Sequence, residues 1–167
     1  MGIQGPGDFF DTIVLGERMP RHWISGSNGF SRTQDFAGSA PENLVNQMIH
    51  LIMTYEADGR IALYRNGEPY GKPYQKNLAT FPQGKSSVLF GLRHTPKGGN
   101  KHLAVIIDKA RLYDRALNPE EVEQAARGNQ TFVSNRELLA RLSPEQRASK
   151  GTPVSYTHLT LPTIGCV

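Results

Sequence analysis

The carboxylates of Glu56 and Asp58 come nearest, in type and spacing, to a catalytic pair in this chain. Two such groups hydrolyse a glycosidic bond when they face each other across a groove at about 5–9.5 Å. However, Asp58 is followed by Gly59, and an Asp-Gly dipeptide between two alternating apolar segments is typical of a two-residue hairpin turn. We therefore favour a turn at this position and keep glycoside hydrolysis as the alternative.

Other catalytic and metal-binding patterns are missing from the sequence. The five histidines lack the spacing of a zinc site, and Cys166 is the single cysteine, so the chain cannot form an internal disulfide or thiolate cluster. Ser25 lies in Ser-Gly-Ser, whereas a nucleophile elbow requires Gly-x-Ser-x-Gly. The sequence therefore predicts no catalytic residue, no resident metal and no cofactor.

Asp108 is the charged residue that most needs an explanation, because alternation over residues 102–113 places it on one face with Ile106 and Leu112. A carboxylate that faces a core must bind donors or a cation to offset its desolvation. We predict a structural role, in which Asp108 bonds backbone amides or Arg115. Calcium ligation is the alternative, but it needs about 6–8 oxygen ligands and no Asp/Asn cluster surrounds Asp108 in the sequence.

Three aromatic residues and one arginine are candidate ligand contacts. Trp23, Tyr70 and Tyr74 flank predicted turns, where exposed rings could stack on a sugar. Arg93 begins the densest basic cluster, which could contact an anion or a polysaccharide. The alternatives are aromatic rings that cover the ends of the fold and a solvated hairpin tip at the basic cluster. The cluster comprises Arg93, His94, Lys97, Lys101 and His102.

Short β-type segments, separated by Gly, Asn, Asp and Pro, extend from residue 9 to residue 114 and predict an antiparallel all-β domain. The Asp-Gly and Asn-Gly turns at 58–59 and 66–67 join residues 47–74 into a three-stranded meander. Apolar character on both faces places strand 47–55 in the middle of a sheet. The predicted strands are 10–15, 22–25, 29–36, 47–55, 60–65, 87–93 and 102–113.

Beyond residue 114 the pattern becomes helical. A helix is predicted from Asn118, a capping residue followed by Pro119 and two glutamates, to Gly128. Capping signals at Ser134 and Ser143 predict two further short helices.

Composition and charge exclude several classes of function. With 167 residues, of which 38% are hydrophobic, the chain suits one globular unit. Its net charge of +4 and pI near 9.3 arise from charges spread along the chain, so nucleic-acid binding is not indicated. No stretch approaches the roughly 18 apolar residues of a membrane span, and no signal peptide follows Met1.

Residues 107–122, Ile-Asp-Lys-Ala-Arg-Leu-Tyr-Asp-Arg-Ala-Leu-Asn-Pro-Glu-Glu-Val, resemble the closing strand and helix of laminin-G-like, concanavalin A-like domains. The Tyr-Arg-Asn-Gly hairpin at 64–67 and the Val-Leu-Phe-Gly-Leu-Arg strand at 88–93 precede it in the order typical of that family. The resemblance implies an antiparallel two-sheet sandwich, an incomplete concanavalin A-like jelly roll, over residues 1–127. Further strands upstream of Met1 would complete this domain.

Within this family the chain resembles domains of large planctomycete-type proteins that combine cytochrome-c-like segments with domains of unknown function. In those proteins a Phe-Val-Ser-x-x-Glu-Leu-Leu helix follows the sandwich, and residues 132–139 match it here. This helix belongs to a predicted helical connector at 128–150. Residues 151–167 resemble a translated sequencing adapter and are predicted to be a non-native tail outside the fold.

By this resemblance the chain is a non-catalytic recognition or scaffolding module of a larger exported protein, placed outside the cytoplasm. It would bind a polysaccharide or neighbouring domains of its parent without a cofactor, and calcium is implied only for the intact domain. The alternative is a fragment of a glycoside-active enzyme of the same superfamily. Glu56-Ala57-Asp58 is similar to the start of the laminarinase-type Glu-x-Asp-x-x-Glu motif, but Ile61 stands where its third carboxylate would be.

Overall fold

The computed structural model describes residues 1–97, 103–128, Ser143 and Gly165–Cys166, and these form two antiparallel sheets. The strands are Gly2–Gln4 (β1), Phe10–Leu15 (β2), Trp23–Ser27 (β3), Ile49–Tyr55 (β4), Arg60–Arg65 (β5), Glu68–Pro69 (β6), Tyr74–Gln75 (β7), Ser87–Leu89 (β8) and Gly165–Cys166 (β9). The first sheet has the order β3-β2-β1-β8. The second has the order β6-β5-β4-β9, with β7 also paired to β5.

The main core lies between the two sheets. Trp23 of the first sheet shares one buried cluster with Leu51, Ile61 and Leu63 of the second. Each large apolar side chain buried in this way contributes about 1.5–3 kcal/mol. The predicted all-β, two-sheet sandwich is therefore confirmed.

The predicted meander over residues 47–74 is confirmed by the pairing of β4 with β5 and of β5 with β6. Asn66 and Gly67 both have positive φ, 54° and 90°, as a two-residue type I′ turn requires. The Asn66 side chain also accepts a hydrogen bond from the His50 amide at 2.8 Å, which ties the turn to the start of β4. Local turn chemistry thus sets the register of this sheet.

The second sheet is covered on its outer face by helix α1, Pro119–Ala126. Ala62 and Tyr64 of β5 pack there against Leu117 and Val122. The helix begins at the predicted cap Asn118, and the structure shows in addition a complete capping box between Asn118 and Glu121. The helices predicted from residues 134 and 143 lie outside the described residues.

The predicted strand over 102–113 does not form in the described part, residues 103–113, which is irregular apart from bridge positions at Ile107 and Ala110. Its predicted orientation is also wrong. Val105 and Ile107 pack against the inter-sheet core, whereas Ile106 is 66% exposed. This orientation partly buries two β-branched side chains and leaves the Asp108 carboxylate exposed, which avoids its desolvation, whereas Ala110 is buried as predicted.

Two further predicted strands are wrong or shorter than expected. In place of a strand at 29–36, a short 3₁₀ helix covers Asn28–Phe30. Local side-chain hydrogen bonds, such as the one between the hydroxyl groups of Ser27 and Thr33 at 2.9 Å, compete there with strand pairing. Strand β8 ends at Leu89, and Gly91, with φ of 70°, turns the chain away from the sheet.

Two residues of the tail that the sequence excludes from the fold form a strand. Cys166 lies opposite Ile49, and Gly165 lies opposite His50. The origin of residues 151–167 stays a prediction, and the rest of this segment lies outside the described residues. No helix within the described ranges has the length and apolar character needed to cross a membrane.

Candidate functional site

Two clefts open between the sheets, and Met1 lines both. The larger, here called the inter-sheet cleft, has a volume of about 490 Å³ and lies between β1, β2 and β4, with residues 111–117 on a further wall. The smaller, here called the Arg93 cleft, has a volume of about 340 Å³ and lies between β2, residues 91–93 and residues 103–107. Both volumes fall in the range of roughly 300–1,000 Å³ that is typical of small-ligand pockets.

The Arg93 cleft combines a polar wall with an apolar one. Arg93 forms an ion pair with Glu17 on the polar side, and Leu15, Val105 and Ile107 contribute apolar surface. Trp23 also belongs to the lining. Of the four predicted ligand residues, the structure therefore brings Trp23 and Arg93 together, while Tyr70 and Tyr74 do not line this cleft.

Arg93 is held firmly in place. Its backbone carbonyl accepts a hydrogen bond from Thr12 Oγ1 at 2.8 Å, and its guanidinium carbon lies 5.6 Å from the centre of the Phe10 ring. Burial lowers the pKa of Arg93. Within the described residues, neither Nε of Arg93 nor Oε2 of Glu17 has a hydrogen-bond partner.

The interpretation of the basic cluster as a solvated hairpin tip is wrong for its first two residues. Arg93 is only 24% exposed at its side chain, and the half-buried His94 stacks on Phe10 with 4.9 Å between the ring centres. Lys101 and His102 lie outside the described residues. A ligand contact by Arg93 stays a prediction.

The predicted aromatic contacts are core residues. Trp23, Tyr70 and Tyr74 are 3%, 5% and 8% exposed, and all three belong to the inter-sheet core. The Tyr70 hydroxyl donates to the Ala40 carbonyl at 2.6 Å and accepts from the Trp23 amide at 3.2 Å. The expectation of exposed rings that stack on a sugar is therefore wrong, because the faces of these rings pack against other side chains of the core.

The predicted roles of Asp108 and Arg115 also need correction. Asp108 is exposed, so it does not face the core. Arg115 instead donates to both carboxylate oxygens of Glu121, at 2.7 and 2.6 Å, and so braces the first turn of α1. The hydrogen bond from Arg115 is the main reason why the pKa of Glu121 falls to about 2.

The carboxylates near the turn between β4 and β5 have structural partners. The Arg60 amide donates to Asp58 Oδ1 at 2.9 Å, and the Arg60 side chain pairs with Glu56. Asp58 therefore belongs to the turn as predicted, but the loop has three residues, 57–59, and not two, because Glu56 still pairs with Arg60 and only Gly59 has positive φ. Across the part of the chain that the structure describes, no group of three or more His, Cys, Asp or Glu side chains could hold a metal ion.

A buried ion pair between Asp11 and Arg32 lies beside the inter-sheet cleft and was not predicted from the sequence. The side chains of Arg32 and Asp11 are 7% and 4% exposed, and Arg32 Nε donates to Asp11 Oδ1 at 3.0 Å. Arg32 also donates to the Phe10 carbonyl at 2.9 Å and lies 4.4 Å from the Phe9 ring centre. Burial raises the pKa of Asp11 to about 6, against the opposing effect of the Arg32 charge.

A second unpredicted centre is Glu42, in the loop between β3 and β4. Its carboxylate accepts two hydrogen bonds from Arg65, each at 2.8 Å, and one from Trp23 Nε1 at 3.1 Å. The hydrogen bond from Arg65 is the largest of the effects that lower the pKa of Glu42 from its ordinary 4.5 to about 2. This carboxylate therefore joins the core tryptophan to β5.

Replacement of Glu42 by glutamine should flatten the acid dependence of stability. Because the folded state lowers this pKa, the stabilisation is fully present above about pH 4.5 and is lost as the pH falls towards 2. We expect Glu42→Gln to be about 1–3 kcal/mol less stable than the wild type at pH 7, with the difference shrinking below pH 4.5. Urea unfolding between pH 2 and pH 7 measures this; a difference that is the same at every pH would contradict it.

Comparison with known proteins agrees with the fold. A laminin-G-type family model, described as the concanavalin A-like lectin/glucanases superfamily, matches residues 5–123. This range contains β2 through β8 and the first part of α1, and both clefts lie largely within it. No curated protein and no solved structure matches the chain.

Proposed function

Because the chain belongs to the concanavalin A-like lectin/glucanases superfamily, we propose that it is a non-catalytic recognition module that binds a glycan at the Arg93 cleft. The observation that carries this proposal is the pairing of a polar wall, Arg93 with Glu17, and an apolar wall in one cleft. A sugar ring presents hydroxyl groups at its edge and C–H groups on its faces. A site with a few placed polar groups and apolar surroundings suits both.

The way the nearby carboxylates are used supports a binding role over a catalytic one. A glycosidase needs one carboxyl group to protonate the leaving oxygen and a second to attack or to activate water. Glu17 is paired with Arg93, and Asp11 is buried against Arg32. Asp58 serves the turn after β4.

The proposed setting is a larger exported protein, in which the module acts outside the cytoplasm and also contacts neighbouring domains. The motif that supports this setting, residues 132–139, lies outside the described residues. No cofactor enters the proposal.

Binding at this cleft should depend on Arg93 and on the apolar surface opposite it. On an array of neutral and acidic oligosaccharides, we expect Arg93→Ala to bind about tenfold or more weakly than the wild type, because it removes the charged donor of the polar wall. Loss of Arg93 also leaves Glu17 unpaired, so Leu103→Glu serves as a second variant. Leu103 lines the cleft yet is 42% exposed, and its replacement therefore disturbs packing little.

Leu44→Glu is the matched control, because Leu44 is 41% exposed and does not line the cleft. It should bind like the wild type. If the wild type binds no sugar on the array, or if Leu103→Glu binds as well as Leu44→Glu, glycan recognition at this cleft is wrong. A scaffolding role between domains would then be the better hypothesis.

A further inference from the structure

The polar wall of the Arg93 cleft combines one positive and one negative side chain. Among the residues that the structure places in its lining, Glu17 and Arg93 are the charged side chains, and they form an ion pair with each other. They are 14% and 24% exposed, so both lie largely out of bulk water. An arginine whose charge is already balanced by a carboxylate attracts a second carboxylate much less than an unpaired arginine does.

Neighbouring residues hold both members of this pair in position. The Glu17 carboxylate lies beside β3, where a β-carbon built on Gly26 would be 3.5 Å from Glu17 Oε2. The carbonyl of Arg93 accepts a hydrogen bond from Thr12, and its guanidinium contacts the Phe10 ring. The pair is therefore arranged before a ligand arrives, and a ligand does not need to bring a charge to complete it.

The pair still offers hydrogen bonds to an uncharged group. A guanidinium has five N–H donors and a carboxylate has about four acceptor positions, which is more than one ion pair uses. Arg93 Nη2 lies in addition 3.3 Å from His94 Nε2. Because a hydroxyl group both donates and accepts, two adjacent hydroxyls of a sugar can donate to Glu17 and accept from Arg93 at the same time.

The opposite wall of the cleft disfavours a charged ligand. Leu15, Val105 and Ile107 are partly buried against the core, and Leu103, which is 42% exposed, extends the same surface. Aliphatic groups cannot solvate a carboxylate, so an acidic sugar would lose part of its hydration on entering the cleft. It would also lie close to the like charge of Glu17. The C–H groups of a neutral sugar, in contrast, are themselves apolar and pack against this wall.

We propose that the Arg93 cleft selects uncharged sugars with two adjacent hydroxyl groups and discriminates against uronic acids. One hydroxyl donates to the Glu17 carboxylate, and its neighbour accepts from the Arg93 guanidinium. Glu17 sets this specificity, because it neutralises Arg93 and repels a second carboxylate. The inference rests on the proposed glycan binding and assigns the class of sugar to that site.

Calorimetric titration of the full chain tests this with matched short oligosaccharides of glucose and glucuronic acid, of mannose and mannuronic acid, and of galactose and galacturonic acid. We expect the wild type to bind the best neutral sugar about tenfold or more tightly than its acidic counterpart. Glu17→Gln keeps the size of the side chain but removes its charge. It should shift this preference about tenfold or more towards the acid, because Arg93 can then pair with the carboxylate of the sugar.

Glu68→Gln is the matched control, because Glu68 is exposed, does not line the cleft and loses the same charge. It should keep the wild-type preference. If Glu17→Gln does not fold, as judged by circular dichroism, salt dependence of the wild type replaces it. Affinity for the best neutral sugar should be unchanged from about 50 to about 500 mM sodium chloride, whereas salt weakens an attraction between exposed charges.

The outcomes separate this inference from the proposed function. If the wild type binds a uronic acid as tightly as the matching neutral sugar, glycan recognition stands and the selectivity is wrong. The selectivity is also wrong if Glu17→Gln keeps the wild-type preference, or if salt weakens binding of the neutral sugar severalfold. If none of the sugars binds, the proposed function is wrong and the selectivity falls with it.

Discussion

Replacement of Arg32 by methionine should lower the free energy of unfolding by about 3–5 kcal/mol at neutral pH, because it leaves the Asp11 carboxylate buried without its partner. Asp11 and Arg32 are 5% and 6% exposed, so water cannot substitute for the lost guanidinium. The deficit should narrow as the pH falls through about 6, the raised pKa of Asp11, because the carboxyl group is then protonated and loses its charge. Urea unfolding at pH 7 and pH 5 measures both effects.

Two variants make this result specific. Arg18→Met removes an exposed ion pair with Asp35, whose side chains are 41% and 29% exposed, and should cost less than about 1 kcal/mol. The double variant Asp11→Leu with Arg32→Met removes both charges and should recover about half of the loss or more. If Arg32→Met is no worse than Arg18→Met, the buried pair does not stabilise the fold.

Replacement of Phe36 by alanine should cost about 3–5 kcal/mol, because it removes one of the largest fully buried side chains of the inter-sheet core. Phe36 is 1% exposed, and its ring centre lies 6.5 Å from that of Tyr70 and 5.1 Å from that of Tyr74. The change therefore leaves a cavity beside the rings of Tyr70 and Tyr74, whose hydroxyl groups donate hydrogen bonds to backbone carbonyls. Thermal and urea unfolding of Phe36→Ala measure the loss.

Phe30→Ala is the matched control, because Phe30 is 44% exposed and should lose less than about 1 kcal/mol. Glycan binding offers a second readout. If Tyr70 and Tyr74 serve the core alone, Phe36→Ala should keep its affinity at temperatures where it is folded. Equal losses for the two phenylalanine variants would show that the space around Phe36 collapses without cost.

The features predicted best from the sequence are those set by residues that are close together in the chain. The Asn66-Gly67 turn and the Asn118 helix cap depend on residues within one turn of each other, and both are confirmed. The antiparallel all-β class followed from the short alternating segments and their Gly, Asn, Asp and Pro turns, and the two-sheet sandwich was implied by the family resemblance.

Contacts between residues that are far apart in the chain were not predicted from the sequence. Asp11 and Arg32 are 21 positions apart, and Glu42 and Arg65 are 23 positions apart, so no local pattern marks them as partners. Asp108 was placed on the wrong face because alternation gives two possible orientations, and the cost of burying a carboxylate selects between them. Trp23 was predicted as a surface ring because it follows a turn, although all five residues of β3 are buried.

Strand β5 takes part in two separate apolar clusters, since Ile61 and Leu63 face the first sheet while Ala62 and Tyr64 face α1. Each cluster needs β5 in its folded position. A mutation that unfolds β5 by weakening one cluster therefore also removes the contacts of the other. The helix and the first sheet, which share no strand pairing, should consequently lose their structure in one cooperative step.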